Sequence, residues 1–194
     1  MATSIYTPSK EEFDSRIGWF EDLKPMSTAG EIGWVGQDAM DIIFARKLMP
    51  VILDDDTKNP FGNDAPIFGA AGSTMFVSIM PPGQGPCLHS HNTTFETFIV
   101  LQGEIEYYVG EPVEHRARLG KWDTFSCPPG VYRGFHNVGD IDAVQLTVIT
   151  GLGEDRDDVS MPDSIARQIE DSHGEKVLEA IQGVFHFEPP AARP

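Results

Sequence analysis

Through its middle the chain runs in short apolar stretches separated by turn residues. The stretches are Thr74–Met80, Thr97–Leu101, Ile105–Val109, Asp123–Cys127 and Ala143–Ile149, and the breaks fall at Pro81 to Gly83, Gln102–Gly103, Gly110 to Pro112, Pro128 to Gly130 and Gly139–Asp140. Runs rich in β-branched and aromatic residues, bounded by glycine and proline, predict strands; their regular recurrence predicts an antiparallel barrel or sandwich. The flanks carry a different pattern. Near the start, Ser9 and Glu12 have capping-box spacing, and Phe13, Ile17 and Phe20 follow at helical intervals, predicting a short amphipathic helix. The span Ala39–Leu53 mixes β-branched residues with good helix formers and reads as a strand. Asp54 to Asp64 reads as a turn-rich loop. Beyond Gly151, an acidic loop leads to a helix-start pattern at Ser160 to Asp163. Ile165 and Ile169, then Val177, Leu178 and Ile181, predict two short helices packing an apolar face on the barrel. Glu188 to Pro194 reads as a frayed tail. The chain thus reads as one mainly β domain over 1–194: an arm at 1–72, a barrel core at 73–150 and a helical tail at 151–194.

The chemistry concentrates between Gly83 and Gly103. Residues two apart on a strand face the same way, so His89 and His91 can present both imidazoles to one ion. Glu96 opens the β-branched and aromatic run that follows, so its side chain can reach back to the histidines. The competing reading of His89 and His91 is a pair of polar residues on a solvent-facing strand, but two imidazoles at this spacing with a nearby carboxylate point to metal ligation. Glu96 either ligates or serves as an acid or base beside the ion.

The spacing Gly-x5-His-x-His-x4-Glu-x6-Gly, formed by Gly83, His89, His91, Glu96 and Gly103, resembles the first signature motif of the cupin superfamily at every defined position. Pro128, Gly130 and Asn137 match the second motif, whereas Trp122 stands at its usual glycine and Arg133 at its usual histidine. The resemblance implies a single cupin-type β-barrel, a double-stranded β-helix or jelly roll, and a homodimer in which the apolar N-terminal span supplies a swapped strand. It implies a metal enzyme without naming the activity, because cupins host many.

Arg133 leaves three accounts open. A guanidinium has no lone pair for a metal. In the first account His89, His91 and Glu96 form a facial ligand set and Arg133 grips an anionic substrate, with Tyr132, Phe98 and Phe135 lining the pocket. In the second, a β-bulge at Gly134 turns His136 inward as a further ligand. In the third, no metal binds and Arg133 balances a buried Glu96. For the aromatic positions, plain core packing is the competing reading. The leading functional expectation is an iron(II) dioxygenase-like oxidoreductase acting on a small anionic, enolic or phenolic substrate, in which Arg133 orients the substrate and Glu96 ligates or takes a proton. The alternatives are a redox-silent isomerase, lyase or decarboxylase using Zn, Mn or Ni, and a non-enzymatic small-ligand barrel.

Composition narrows the partners. A formal net charge of −16 over 194 residues argues against nucleic acid or an anionic membrane. Cys87 and Cys127 do not make a disulfide framework and read as small residues inside strands; Cys87, sharing parity with the two histidines, also allows a thiol near the ion. The N-terminus lacks a basic start and an apolar signal core, and no apolar run reaches membrane-spanning length, so a cytoplasmic protein is expected. The acidic clusters Asp54 to Asp56 and Asp155 to Asp158 lack calcium-loop spacing and read as solvated loop, and His115, His173 and His186 as surface residues.

Overall fold

The computed structural model describes residues 7–26, 32–53, 64–69, 72–151 and 158–187. The predicted capping box is present: Ser9 accepts from Glu12 N–H, Glu12 returns a bond to Ser9 N–H, and helix α1 spans Lys10–Asp14. It buries no residue. The span read as one strand divides in two: helix α2 at Gln37–Ile43 buries Ala39, Met40 and Ile43, and strand β1 at Lys47–Leu53 follows. The helical spacing of those three buried residues had been masked by the β-branched run after them.

Strand β2 (Ile67–Phe68) pairs with β1 in parallel; strands β3 (Ser73–Met80), β4 (Ser90–His91), β5 (Phe95–Gln102), β6 (Ile105–Val109), β7 (His115–Leu119), β8 (Thr124–Cys127), β9 (Arg133–Asn137), β10 (Ala143–Thr150) and β11 (Val159–Ser160) complete the β structure. One sheet runs β2-β1-β3-β10-β5-β8, a second β7-β6-β9, and β4 pairs with β11. The five predicted central strands are all present. Their buried residues meet in one core: Met80, Phe98, Val100, Cys127 and Ala143 from the larger sheet, and Ile105, Tyr107 and Phe135 from the smaller. Two largely antiparallel sheets packed on a shared core give the predicted jelly roll.

Helices α3 (Asp163–His173) and α4 (Glu175–Gln182) bury Ile165, Ile169, Leu178 and Ile181, as their spacing predicted. These join α2, Cys87, Leu88 and Phe185 in a second apolar cluster, against which Tyr108 and Tyr132 pack. No helix among the described residues is long and apolar enough to cross a membrane. Trp122, at the motif's glycine position, has φ of 74° and is exposed. The fold therefore keeps the left-handed backbone that glycine would adopt freely. Asp54 to Asp56, Asp155 to Asp157 and the tail from Glu188 lie outside the described residues.

Candidate metal centre

The segment before β4 runs as an irregular strand along β9. His89 and Arg133 exchange backbone N–H···O bonds at 2.9 Å each, Phe135 N–H donates to Pro86 O at 3.2 Å, and Asn137 N–H donates to Gln84 O at 3.0 Å. The approach demands glycine at position 85, where a Cβ would lie 2.1 Å from Phe135 O. This pairing sets the parity of the histidines. On the opposite sheet, β5 places Glu96 between Ile149 of β10 and Cys127 of β8.

These elements bring His89, His91 and Glu96 together, with one ligand atom from each lying within 4.8 Å of the others. Both Nε2 atoms are 3.8 Å from Glu96 Oε2. The Nδ1 atoms are engaged elsewhere. His89 Nδ1 lies 2.8 Å from the Cys87 carbonyl, which can only accept, so this nitrogen carries the proton. His91 Nδ1 lies 2.9 Å from Asp158 Oδ2 and 2.9 Å from Thr94 Oγ1. In the neutral form each ring therefore turns an Nε2 lone pair toward the same carboxylate oxygen. Burial, reinforced by the Arg133 charge, lowers His89 to a pKa of about 3 and keeps it neutral. Burial would raise Glu96, but the Arg133 guanidinium overrides it and holds the carboxyl at about 2. Two lone pairs and an anionic oxygen thus converge with no proton between them. A divalent cation answers that repulsion: ligand atoms about 2.1 Å from a tetrahedral ion lie about 3.4 Å apart, and the two histidine–carboxylate separations here are 3.8 Å. The donor set fits the ion.

Arg133 is 1% exposed. Its Nε donates to Glu96 Oε2 at 2.9 Å, its Nη2 donates to the same oxygen, and its Nη1 donates to the His89 carbonyl at 3.1 Å. The guanidinium holds the candidate ligand set instead of reaching into open space. His136 is elsewhere. The register of β6 with β9 is unbroken, so no bulge turns it inward; it stands opposite Glu106, its ring 5.8 Å from Tyr108 on the outer face. Phe98 and Phe135, expected to line a pocket, are buried with Tyr107 in an aromatic core against which the half-buried Phe125 packs, with ring centroids 4.9 to 5.9 Å apart. Tyr132 packs on the helical cluster. Cys87 lies outside any strand; its side chain also joins that cluster, leaving only its carbonyl to serve the site, and burial raises the thiol to about 12. His115 and His186 are exposed and His173 is half-buried.

Asp158 was missed as a site residue. It sits among acidic positions and so read as solvated loop, yet it is buried and receives Thr93 N–H at 2.7 Å, Thr93 Oγ1 at 2.6 Å and Thr94 Oγ1 at 2.6 Å. Nothing in local sequence separates it from its neighbours. A second buried chain, in which Tyr107 OH donates to Gln145 Oε1 and Gln145 Nε2 donates to Thr147 Oγ1 at 3.0 Å, was also missed.

The neutral histidine sets a pH dependence. Unfolded, residue 89 titrates near 6.5, and folded near 3, so between these values the unfolded chain binds the extra proton. Stability of the chelator-treated protein is therefore fully present above pH 6.5 and lost on acidification, at a slope of up to about 1.4 kcal/mol per pH unit. Glu96 adds a loss of the same sign from about 4.5 down to 2. Urea unfolding between pH 6.5 and 4.5, repeated on His89→Gln, should show a shallower pH slope in the variant; an equally steep variant contradicts the assignment.

The family model of the cupin domain matches residues 76–149. No curated protein matches the sequence. Among solved structures, the DMSP lyase DddQ from Ruegeria pomeroyi is similar at 25% identity over 62% of this chain and 53% of its own, with a TM-score of 0.48. A double-stranded β-helix protein from Klebsiella pneumoniae is 28% identical over 41% of this chain and 68% of its own, with a TM-score of 0.39. A predicted oxalate decarboxylase from Thermotoga maritima is 25% identical over 41% of this chain and 66% of its own, with a TM-score of 0.38. Residues 76–149 of this chain form a cupin domain.

Proposed function

We propose that this protein is a metal-dependent enzyme that holds one divalent cation on His89, His91 and Glu96 and acts as an iron(II) dioxygenase-like oxidoreductase on a small anionic, enolic or phenolic substrate. The observation that carries the reading is the convergence of both Nε2 atoms on one oxygen of the Glu96 carboxylate, with each Nδ1 turned away onto an acceptor. Two histidines and one carboxylate are the donor set of facial non-haem iron sites, which leave positions open. When bound, such an ion supplies Lewis acidity and one-electron redox chemistry beside the substrate.

The chain's own groups then have distinct tasks. His89 and His91 present neutral nitrogen, and Glu96 presents negative charge. With Arg133 bonded twice to Oε2, Glu96 is too acidic to take a proton near neutral pH, which favours its ligand role over its role as a base. Arg133 is committed to this pair, so its guanidinium is not free to grip an anionic or enolic oxygen of the substrate; a cation held by His89, His91 and Glu96 would attract that oxygen instead. The packed rings of Phe98, Tyr107, Phe125 and Phe135 fill the barrel core and keep water out of it.

The test is elemental analysis of freshly purified protein, followed by oxygen-uptake screening over small phenols, enols and keto acids. About one cation per chain and oxygen-dependent turnover are expected. A protein that neither contains nor takes up a divalent ion defeats the metal reading. Turnover that persists without oxygen defeats the dioxygenase reading and leaves a redox-silent metal enzyme.

A further inference from the structure

We propose that Asp158, contributed from beyond the cupin domain, is a positioning residue that sets the tautomer of His91 and thereby the affinity of the cation site. The inference rests on the reading of His89, His91 and Glu96 as ligands and adds to them a residue that touches no ion itself. It also gives the segment after the barrel a part in the chemistry.

The argument is one of donors and acceptors. Thr93 N–H and Thr93 Oγ1 reach Asp158 Oδ1 at 2.7 and 2.6 Å; Thr94 Oγ1 and His91 Nδ1 reach Oδ2 at 2.6 and 2.9 Å. Four donors fill the roughly four lone-pair sites of a carboxylate. Because Thr94 gives its hydroxyl proton to Asp158, its oxygen can only accept from His91 Nδ1 at 2.9 Å. Both neighbours of Nδ1 are thus acceptors, so a neutral ring carries its proton there and turns the Nε2 lone pair toward Glu96. The geometry is held from outside the barrel: Val159 pairs with His91 across β11 and β4, and Asn92 N–H donates to Asp158 O at 2.7 Å.

An asparagine has nearly the same shape but cannot accept at both ends. If its amide nitrogen faces His91, donor opposes donor at Nδ1 and Thr94 loses the acceptor for its hydroxyl, which favours the tautomer with the proton on Nε2, in the cation site. If it faces Thr93, it opposes a backbone N–H that has no alternative. Asp158→Asn should therefore weaken cation binding by about 10–100-fold, the usual effect of removing a group that orients a ligating histidine.

The experiment titrates chelator-stripped full-length protein with cobalt(II), reading the visible ligand-field bands, for wild type and Asp158→Asn, with thermal melts in chelator as the control for folding. Weaker binding and altered bands in a variant that melts cooperatively support the proposal. Equal affinity in the two proteins overturns it while leaving the metal site intact. A wild type that binds no cobalt(II) overturns the metal reading and this inference with it. If Asp158→Asn does not fold, long-range ¹⁵N–¹H spectra of the stripped wild type decide: a proton on His91 Nδ1 supports the assignment, and one on Nε2 overturns it.

Discussion

Arg133→Met is expected to destabilise the metal-free protein by about 3–5 kcal/mol, the usual consequence of stranding one member of a buried ion pair. For a chain of this length that corresponds to a fall in melting temperature of roughly 6–20 °C. The size follows from what would be left behind. Glu96 is 7% exposed, and Arg133 supplies both of its charge-assisted bonds while also satisfying the His89 carbonyl. Without the guanidinium, burial is the dominant influence on the carboxyl, which then protonates or pulls water inward. The double variant Arg133→Met with Glu96→Gln should recover much of the loss, because replacing both members of a buried pair removes the unpaired charge. Two outcomes on thermal melts would count against this account: a single variant as stable as wild type, or a double variant worse than the sum of the singles. Saturating cation should lessen the penalty of Arg133→Met, since the ion offers Glu96 a second source of positive charge. An arginine that serves only as a structural counter-ion in a metal-free barrel predicts no such rescue.

The parts of this protein that could be read from sequence are those governed by short-range periodicity. Side-chain alternation places His89 and His91 on one face, and the structure keeps them 3.8 Å from the same oxygen of Glu96. The β-branched runs became strands because apolar alternation and glycine or proline breaks are local signals. Strand β7 lacked that signal: His115, Arg116, Ala117 and Arg118 are all exposed on a sheet edge, so no apolar alternation marks them. Arg133 could be excluded as a ligand from its chemistry alone, but its partner was undecided until β9 and β5 faced each other across the core. His136 turned on a single bulge, and whether a strand bulges beside Gly134 depends on what lies against it. Here the Tyr108 ring occupies the space a Cβ at 134 would need, at 2.5 Å, and the ladder stays regular. Asp158 depended on contacts between residues far apart in sequence, which leave no mark in the residues beside it. Long-range polar closure, not the motif itself, was the hidden part.

His91→Ala and His89→Ala should both abolish cation-dependent stabilisation, yet they should differ once the ion is removed. A ligand present at about 1,000 times its dissociation constant stabilises the folded state by about 4 kcal/mol, which for a chain of this size raises the melting temperature by roughly 8–16 °C. Either alanine variant loses one of the three proposed ligands, so the shift on adding cobalt(II) or zinc(II) should vanish. In chelator the two diverge. His89→Ala removes an imidazole that burial already keeps neutral and frees only the Cys87 carbonyl. His91→Ala takes one of four donors from the buried Asp158 carboxylate and leaves Thr94 facing a cavity. The metal-free His91 variant should therefore be the less stable of the two, because a charged acceptor losing a donor is penalised more than a neutral carbonyl. Melts of both variants with and without cation check each step. A full cation-induced shift in either variant would mean that the ion, if one binds, sits elsewhere. The reverse order of stability in chelator would mean that Asp158 draws little from the imidazole it faces.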